Sequence, residues 1–295
     1  MKQTRFYGEP DHERLAALAL QLRRDTVRMI HHAGSGHIGG ALGLADYMAA
    51  LYGYALEYDT EQRDHPDRDR VILSNGHTCA VWYAALARTG FIPLAELNTF
   101  RKLGSRLQGH PARKSMPDII ETSTGPLGQG FSVANGIALS MKARNSQGKV
   151  YCILGDGEMQ EGQVWEALLT AAHYRLDHLI VFVNYNNLQI DGKVSEIMNL
   201  APLAPRLEAF GWNVYEIDGH ALKAITTTLK AASNTRGTPS IIIGHTLMGK
   251  GVPFMENDAI WHGTCPSDSQ AAAALEAIGT SELYEDFSIE QEGVS

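Results

Sequence analysis

The most constraining feature of the chain is a pair of apolar runs that each stop at an abruptly polar edge. Val150-Tyr151-Cys152-Ile153-Leu154 ends in Gly155-Asp156-Gly157-Glu158, and Leu179-Ile180-Val181-Phe182-Val183 ends in Asn184-Tyr185-Asn186-Asn187-Leu188. Strands this uniformly apolar suit a sheet covered on both faces, which is how parallel sheets are built. The interval between the two edges is one helix plus one strand, the length of a right-handed βαβ crossover. Shorter runs repeat the signal at Val71-Ile72-Leu73, from Trp212 to Ile217, and at Ser240-Ile241-Ile242-Ile243. Helical spacing of Leu15, Leu18, Leu22, Met29 and Ile30 predicts an amphipathic helix in the first thirty residues. Trp165 to Tyr174 and Leu222 to Ala232 read as further helices. This alternation predicts an α/β fold: a doubly wound, mostly parallel sheet with helices on both faces.

Composition removes whole classes of function. The 295 residues are 44% hydrophobic and 20% charged, ordinary for a globular chain able to bury a sizeable core. The net charge is −8, and no Lys/Arg-rich run occurs, so no nucleic-acid partner and no anionic-membrane surface are expected. No apolar stretch approaches the roughly 20 residues of a membrane span, and the first residues lack a signal-peptide core. Three well-separated cysteines without a CxxC fit a reducing cytoplasm. One domain is expected over residues 1–280. The charged stretch from Asp59 to Arg70 reads as a solvated loop, and the acidic tail 281–295 as flexible or partner-facing.

The polar edges carry the chemistry. A strand that ends in a glycine-flanked aspartate places a carboxylate at the carboxyl edge of a parallel sheet, where ligands bind in such folds. Glycines let backbone approach a ligand, and the next helix offers N–H groups to an anion. Alone, Gly155-Asp156-Gly157 is a weak signal and reads first as a plain strand-to-helix turn. Two adjacent parallel strands would present Asp156 and Asn186 side by side. One carboxylate, one amide oxygen and a backbone carbonyl form a hard, oxygen-only set suited to Mg²⁺ shared with phosphate oxygens.

Twelve histidines are many for this length. His12, His31, His32, His65, His173, His178, His220 and His245 form no constellation and read as surface or satisfied-core residues. Four others sit in glycine-rich or turn contexts: Ser35-Gly36-His37-Ile38-Gly39-Gly40, Ser74-Asn75-Gly76-His77, Gln108-Gly109-His110-Pro111 and Trp261-His262-Gly263. Such flanks leave an imidazole accessible from a loop. Zinc is the first alternative, but no HxxxH or Cys/His spacing supports it. Thr124-Gly125-Pro126-Leu127-Gly128-Gln129-Gly130 marks a rigid, close-approach loop ahead of a helix.

Together these motifs resemble the transketolase family. The resemblance rests on Gly155-Asp156-Gly157-Glu158-Met159-Gln160-Glu161-Gly162, Trp165-Glu166-Ala167, the asparagine cluster with Ile190-Asp191-Gly192, the Gly125-Pro126-Leu127 loop, and the four histidines in order. It runs from about residue 12 to about residue 278. It implies thiamine diphosphate with Mg²⁺, the metal held by Asp156, Asn186 and the Leu188 carbonyl. It places Gly125, Pro126 and Leu127 along the aminopyrimidine, with Gly155, Gly157, Glu158 and His77 also at the cofactor. His37 and His262 would contact the diphosphate or substrate hydroxyls; His77 and His110 would face the substrate carbonyl. Neutral imidazoles suit the proton transfers of sugar cleavage. Glu161 and Glu166 are either helix-surface charges or, as the family implies, members of a proton-carrying interface network. Two departures stand out: Ile38 replaces a proline, and Asn187 replaces a glycine, a position where asparagine tolerates left-handed backbone.

Family transketolases continue into a pyrimidine-binding domain for which this chain has no room. The resemblance therefore implies the amino-terminal subunit of a split transketolase, a glycolaldehyde-transferring enzyme active only with a carboxy-terminal partner in an α₂β₂ assembly. Sugars would be its small-molecule substrates. Two alternatives stand beside it: the α subunit of a 2-oxoacid dehydrogenase decarboxylase, and a catalytically silent thiamine-diphosphate-binding protein. The first would not be expected to carry the three histidine and glycine motifs together, and the second should have lost some of them.

Overall fold

A computed structural model describes residues 1–289. In chain order, strand β1 (Lys2–Gln3) is followed by helices α1 (His12–Ala33), α2 (Ile38–Gly43) and α3 (Ala45–Ala50). Strands β2 (Tyr58–Asp59) and β3 (Arg70–Leu73) and helices α4 (Cys79–Arg88) and α5 (Gln129–Ala143) come next. Then come β4 (Val150–Gly155), α6 (Gly162–His173), β5 (Leu179–Tyr185), the short pair β6 (Leu188–Gln189) and β7 (Gly192–Lys193), and α7 (Val194–Ile197). Helix α8 (Leu203–Ala209), β8 (Asn213–Asp218), α9 (Leu222–Asn234), β9 (Ser240–His245) and α10 (Asp268–Ile278) complete the chain.

The central sheet is wholly parallel, in the order β3-β4-β5-β9-β8. Side-chain alternation divides its core in two. Tyr151, Ile153, Ile180, Phe182 and Ile242 face α1–α4, α9 and α10, where the Tyr47 and Phe182 rings stack at 3.8 Å. Val150, Cys152, Leu154, Val181, Val183, Ile241 and Ile243 face α5, α6 and α8. The doubly wound architecture read from the sequence is therefore present. Edge strand β8 is half-exposed along its length, unlike β4 and β5, which are buried up to their last residues.

Two expectations need correction. The 59–70 stretch is not simply a solvated loop: Asp69 is 4% exposed and accepts both Nε and Nη2 of Arg5 together with the N–H groups of Glu57 and Lys149. A fully paired carboxylate buried in this way anchors the stretch to the start of β4. The acidic tail, expected to be flexible or partner-facing, docks in its described part, 281–289, on α1 and α4. Phe287 is 2% exposed, Arg28 lies over its ring, and Asp286 pairs with Arg24. Residues 290–295 lie outside the described residues.

Candidate active site

The loops that leave β3, β4, β5 and β9 all emerge at the carboxyl edge of the sheet, and the motif residues meet there. Register pairs Gly155 with Asn184, so the glycine-aspartate turn and the asparagine cluster lie side by side, as the crossover argument requires. A cavity of about 360 Å³ opens at this edge. Its lining includes His37, His77, His110, Gly125, Leu127, Gly155, Asp156, Gly157, Glu158, Glu161, Asn186, Leu188 and His262. A larger cleft of about 450 Å³ lies between the N-terminal segment and Tyr284, but it has no histidine or carboxylate in its wall. The chemistry is at the sheet edge.

The four loop histidines come from four separate segments and form one cluster. The His37 ring lies 5.3 Å from His77, 5.9 Å from His110 and 5.7 Å from His262, centre to centre. His77 and His262 stack at 5.2 Å. Burial is the main cause that pushes the His37 imidazole down to about 4, helped by the repulsion of His262, His110 and Arg101. Burial likewise brings His77 down to about 3 and lowers His110 and His262. These rings are neutral near pH 7, so each offers one donor and one acceptor. The Nδ1 atoms of His37 and His262 are buried without a partner among the described residues.

Asp156 is 2% exposed and has no cationic side chain paired to it among the described residues. Its carboxylate accepts the N–H groups of Gly157, at 2.8 Å, and of Asn187. Burial raises its carboxyl to about 7, with those N–H groups working in the opposite direction. A buried carboxylate held by backbone dipoles alone is an open position for a cation. The Asn186 amide oxygen stands beside it and accepts the Leu188 N–H at 2.8 Å. Among the described residues no group of three or more His, Cys, Asp or Glu side chains could hold a metal. A cation here would therefore rest on one carboxylate, an amide oxygen and a carbonyl, and would need oxygens from a ligand to fill its shell.

Glu158, expected at the cofactor, lines the cavity and also ties its loops together. Its carboxylate, 2% exposed, accepts from Ser74 Oγ at 2.5 Å, Gly128 N at 2.7 Å and Gly155 N at 3.1 Å. It clamps three loops of the site together. The 124–130 loop needs its glycines: Gly125 has φ 145°, and a Cβ there would lie 3.2 Å from the His110 ring. Gly128 has φ 80° and would meet the Gln163 amide at 2.8 Å. Leu127 lines the cavity, whereas Pro126 is exposed outside it. Glu161 is exposed at the rim, and Glu166 is exposed on α6 away from the cavity.

Several lining residues went unread in the sequence. Asn75 is 1% exposed with both amide atoms unpartnered among the described residues. It lies within Ser74-Asn75-Gly76-His77, a motif read only for its histidine. Met248 and Gln189 also line the cavity, and no local pattern marks them; Asn184, from the asparagine cluster, lines it without having been singled out.

Comparison with known proteins gives this arrangement its relatives. The thiamine-diphosphate-binding domain of transketolase matches residues 15–295. A 6-deoxy-6-sulfo-D-fructose transketolase subunit of Clostridium sp. (strain MSTE9) is 40% identical over 255 residues, covering 86% of this chain and 92% of that protein. An apulose-4-phosphate transketolase subunit of Phocaeicola vulgatus is 36% identical over 271 residues, covering 92% and 95%. The crystal structure of Campylobacter jejuni transketolase superposes with a TM-score of 0.85 at 33% identity, over 91% of this chain and 43% of that one. Leishmania mexicana transketolase gives 0.86 at 30%, over 93% and 42%. The chain thus spans less than half the length of these solved transketolases and nearly all of the subunit-type relatives. It belongs to the transketolase family, as a thiamine-diphosphate-binding domain.

Proposed function

We propose that the chain is the amino-terminal subunit of a two-subunit transketolase that moves a two-carbon ketol unit from a ketose to an aldose. The observation that carries this reading is the four-histidine cluster standing over an unpaired buried aspartate at one sheet edge. Nearly complete coverage of relatives named as transketolase subunits supports the split arrangement. Those relatives are named for a sulfonated and a phosphorylated ketose, so a ketose bearing a strong acid is the proposed donor class. The oxoacid dehydrogenase alternative gives way to the family assignment, and the intact motifs argue against a silent protein.

Thiamine diphosphate, when bound, supplies an electron sink for breaking the carbon–carbon bond beside a ketose carbonyl. The residues present fit it. Asp156, Asn186 and the Leu188 carbonyl would hold Mg²⁺, and a diphosphate would supply both the missing ligands and the missing negative charge. The unpartnered Asn75 amide and the His37 and His262 Nδ1 atoms would find partners on it or on the sugar. Neutral His77 and His110 would exchange protons with substrate oxygens, a contribution typically worth about 10²–10⁴-fold in rate. The pyrimidine half of the site would come from a carboxy-terminal subunit, in an α₂β₂ assembly with Glu161 and Glu166 at the shared interface. No helix among the described residues is long and apolar enough to cross a membrane. The three cysteines are free, which supports the proposal of a reducing cytoplasm.

The test is to co-purify the chain with its partner and assay the pair against a panel of acidic ketose donors. Transfer by the pair and none by the single chain is expected; robust turnover by the rigorously purified single chain would overturn the split reading. Calorimetry on the Asp156→Ala pair should lose Mg²⁺-dependent cofactor binding, and undiminished affinity would remove the metal assignment.

A further inference from the structure

His220 formed no constellation in the sequence, yet it stands at the centre of a buried network. It follows β8, and its Nδ1 lies 2.7 Å from Asp46 Oδ2 on α3. Its Nε2 lies 2.8 Å from the backbone N of Leu247, which follows β9. A backbone N–H can only donate, so Nε2 is the acceptor and Nδ1 carries the proton that Asp46 receives. Asp46 is 7% exposed and is gripped from the other side by both terminal nitrogens of Arg23 on α1. Arg23 Nε in turn donates to the Leu42 carbonyl at the end of α2, at 3.2 Å. One imidazole thus joins α1, α2 and α3 to the first residues of the 246–262 segment.

That segment delivers two groups to the active-site cavity, Met248 and His262. Its neighbours already fix it on either side of Leu247. The Thr246 hydroxyl donates to Asn184 Oδ1 at 2.6 Å, and Gly249 N donates to the Gly39 carbonyl at 2.9 Å, two residues beyond His37. Close packing leaves no slack, because a Cβ on Gly39 would lie 2.6 Å from Met248 and 2.8 Å from the Trp261 carbonyl. The His37 loop and the His262 segment therefore share one contact surface, and His220 pins its edge.

We infer that His220, backed by Asp46 and Arg23, is a positioning residue that sets where Met248 and His262 meet His37. It does not line the cavity and acts through the Leu247 backbone. Loss of its acceptor frees the Leu247 N–H and lets the segment shift against α2. Displacements of about 1 Å far from the chemistry can lower turnover on the order of 10²-fold.

The experiment compares wild type, His220→Leu, which keeps bulk but removes both nitrogens, and His220→Gln. The glutamine amide can accept from Leu247 N–H with its oxygen and donate to Asp46 with its nitrogen. Amide hydrogen exchange over residues 246–249 is followed in the full chain alone. Exchange should accelerate by at least about tenfold in His220→Leu and return towards wild type in His220→Gln. Met141→Ala, a core truncation within α5 on the opposite face, controls for general destabilisation. Unchanged exchange in His220→Leu, or equal acceleration in Met141→Ala, overturns the network. The second arm rests on the proposed transketolase function and measures the reconstituted pair. His220→Leu should lower kcat by about 10–100-fold with cofactor affinity held within about threefold, and His220→Gln should restore it. Full kcat with a loosened segment overturns the positioning role. Absence of turnover in the wild-type pair would count against the functional reading alone, because the exchange arm does not depend on it.

Discussion

Asn187 holds a left-handed backbone, φ 58°, and aims its N–H at the Asp156 carboxylate. The two residues lie on different loops, so the conformation of one fixes the orientation of the other. The substitution of asparagine for the family glycine preserves this because asparagine reaches left-handed angles at low cost, and its side chain adds bonds to Ser195 at 3.1 Å and 3.4 Å. Asn187→Gly should keep the turn and lose only those side-chain bonds. Asn187→Val should cost about 1–2 kcal/mol of stability, since a β-branched residue is strained there. It should also swing the N–H off Asp156. Denaturant unfolding of both variants, with calorimetry of Mg²⁺ and thiamine diphosphate on the reconstituted pair, checks the ordering. Equal behaviour of glycine and valine would contradict it.

The histidine cluster makes stability depend on pH in a defined direction. His37 and His77 titrate near 6.5 when unfolded but at about 4 and about 3 in the fold, through burial first and neighbouring imidazoles second. Between those values the unfolded chain binds more protons, so stability rises with pH. Their contribution is complete above about 6.5 and is lost as pH falls towards the folded values. His77→Gln should therefore flatten the stability-against-pH curve on the acid side relative to wild type. The difference should be on the order of 1 kcal/mol between pH 7 and pH 5 after allowance for solvent screening. Urea midpoints across that range decide it, and parallel curves would contradict the buried, neutral assignment.

Glu158 bonds to three loops at once, so its effect should not add simply to theirs. Glu158→Gln turns one acceptor oxygen into a donor facing an N–H, an arrangement that costs about 1–3 kcal/mol when buried. Ser74→Ala removes one partner and should cost about 1 kcal/mol. Because the two groups touch, a double-mutant cycle should return a coupling of at least about 0.5 kcal/mol. Strict additivity in thermal unfolding of the four proteins would show that the 2.5 Å contact carries no stability.

The parts of the molecule legible in the sequence are those where pattern and environment agree. Strands β4 and β5 are buried on both faces, so their apolar runs are unbroken, and α1 shows its helical period. The edge at Asp156 and Asn186 followed from one crossover length. Helix α4 was missed because nine of its ten residues are buried, which erases the polar face that periodicity needs. Helices α2 and α3 are hidden for the same reason, being buried along their whole length. The site was legible where glycine flanks a histidine. Asn75, Met248 and His220 take their roles from segments distant in sequence, and no local spacing encodes those meetings. In the tail, acidic composition concealed Phe287, the buried aromatic that helps to anchor it.

That anchor leads to the last prediction. Asp286 receives Arg24 Nε at 2.8 Å and Nη2 at 2.7 Å, with Gln21 Nε2 at 3.1 Å. Arg24 also holds the Leu275 and Gly279 carbonyls at the end of α10, so one guanidinium fastens both the helix end and the tail. The Arg24 hydrogen bond is the main cause that brings the Asp286 carboxyl down to about 2. A carboxyl whose folded value lies below its unfolded one stabilises above about pH 4, and that contribution is lost as pH falls through about 2. Asp286→Ala should remove about 1–2 kcal/mol at pH 7, discounted because the carboxylate is 28% exposed, and nothing below pH 2. The loss should be local. With Phe287 still buried and Arg28 still bonded to its carbonyl at 2.7 Å, exchange should quicken over 281–289 and the end of α10. Helices α5 and α6, packed on the other face of the sheet, should keep their protection. Wild-type exchange in the tail of Asp286→Ala would mean that Phe287 and the bonds of Arg28, Arg88 and Asn98 to tail carbonyls suffice to hold it, and that the Arg24 pair contributes no more than a surface contact.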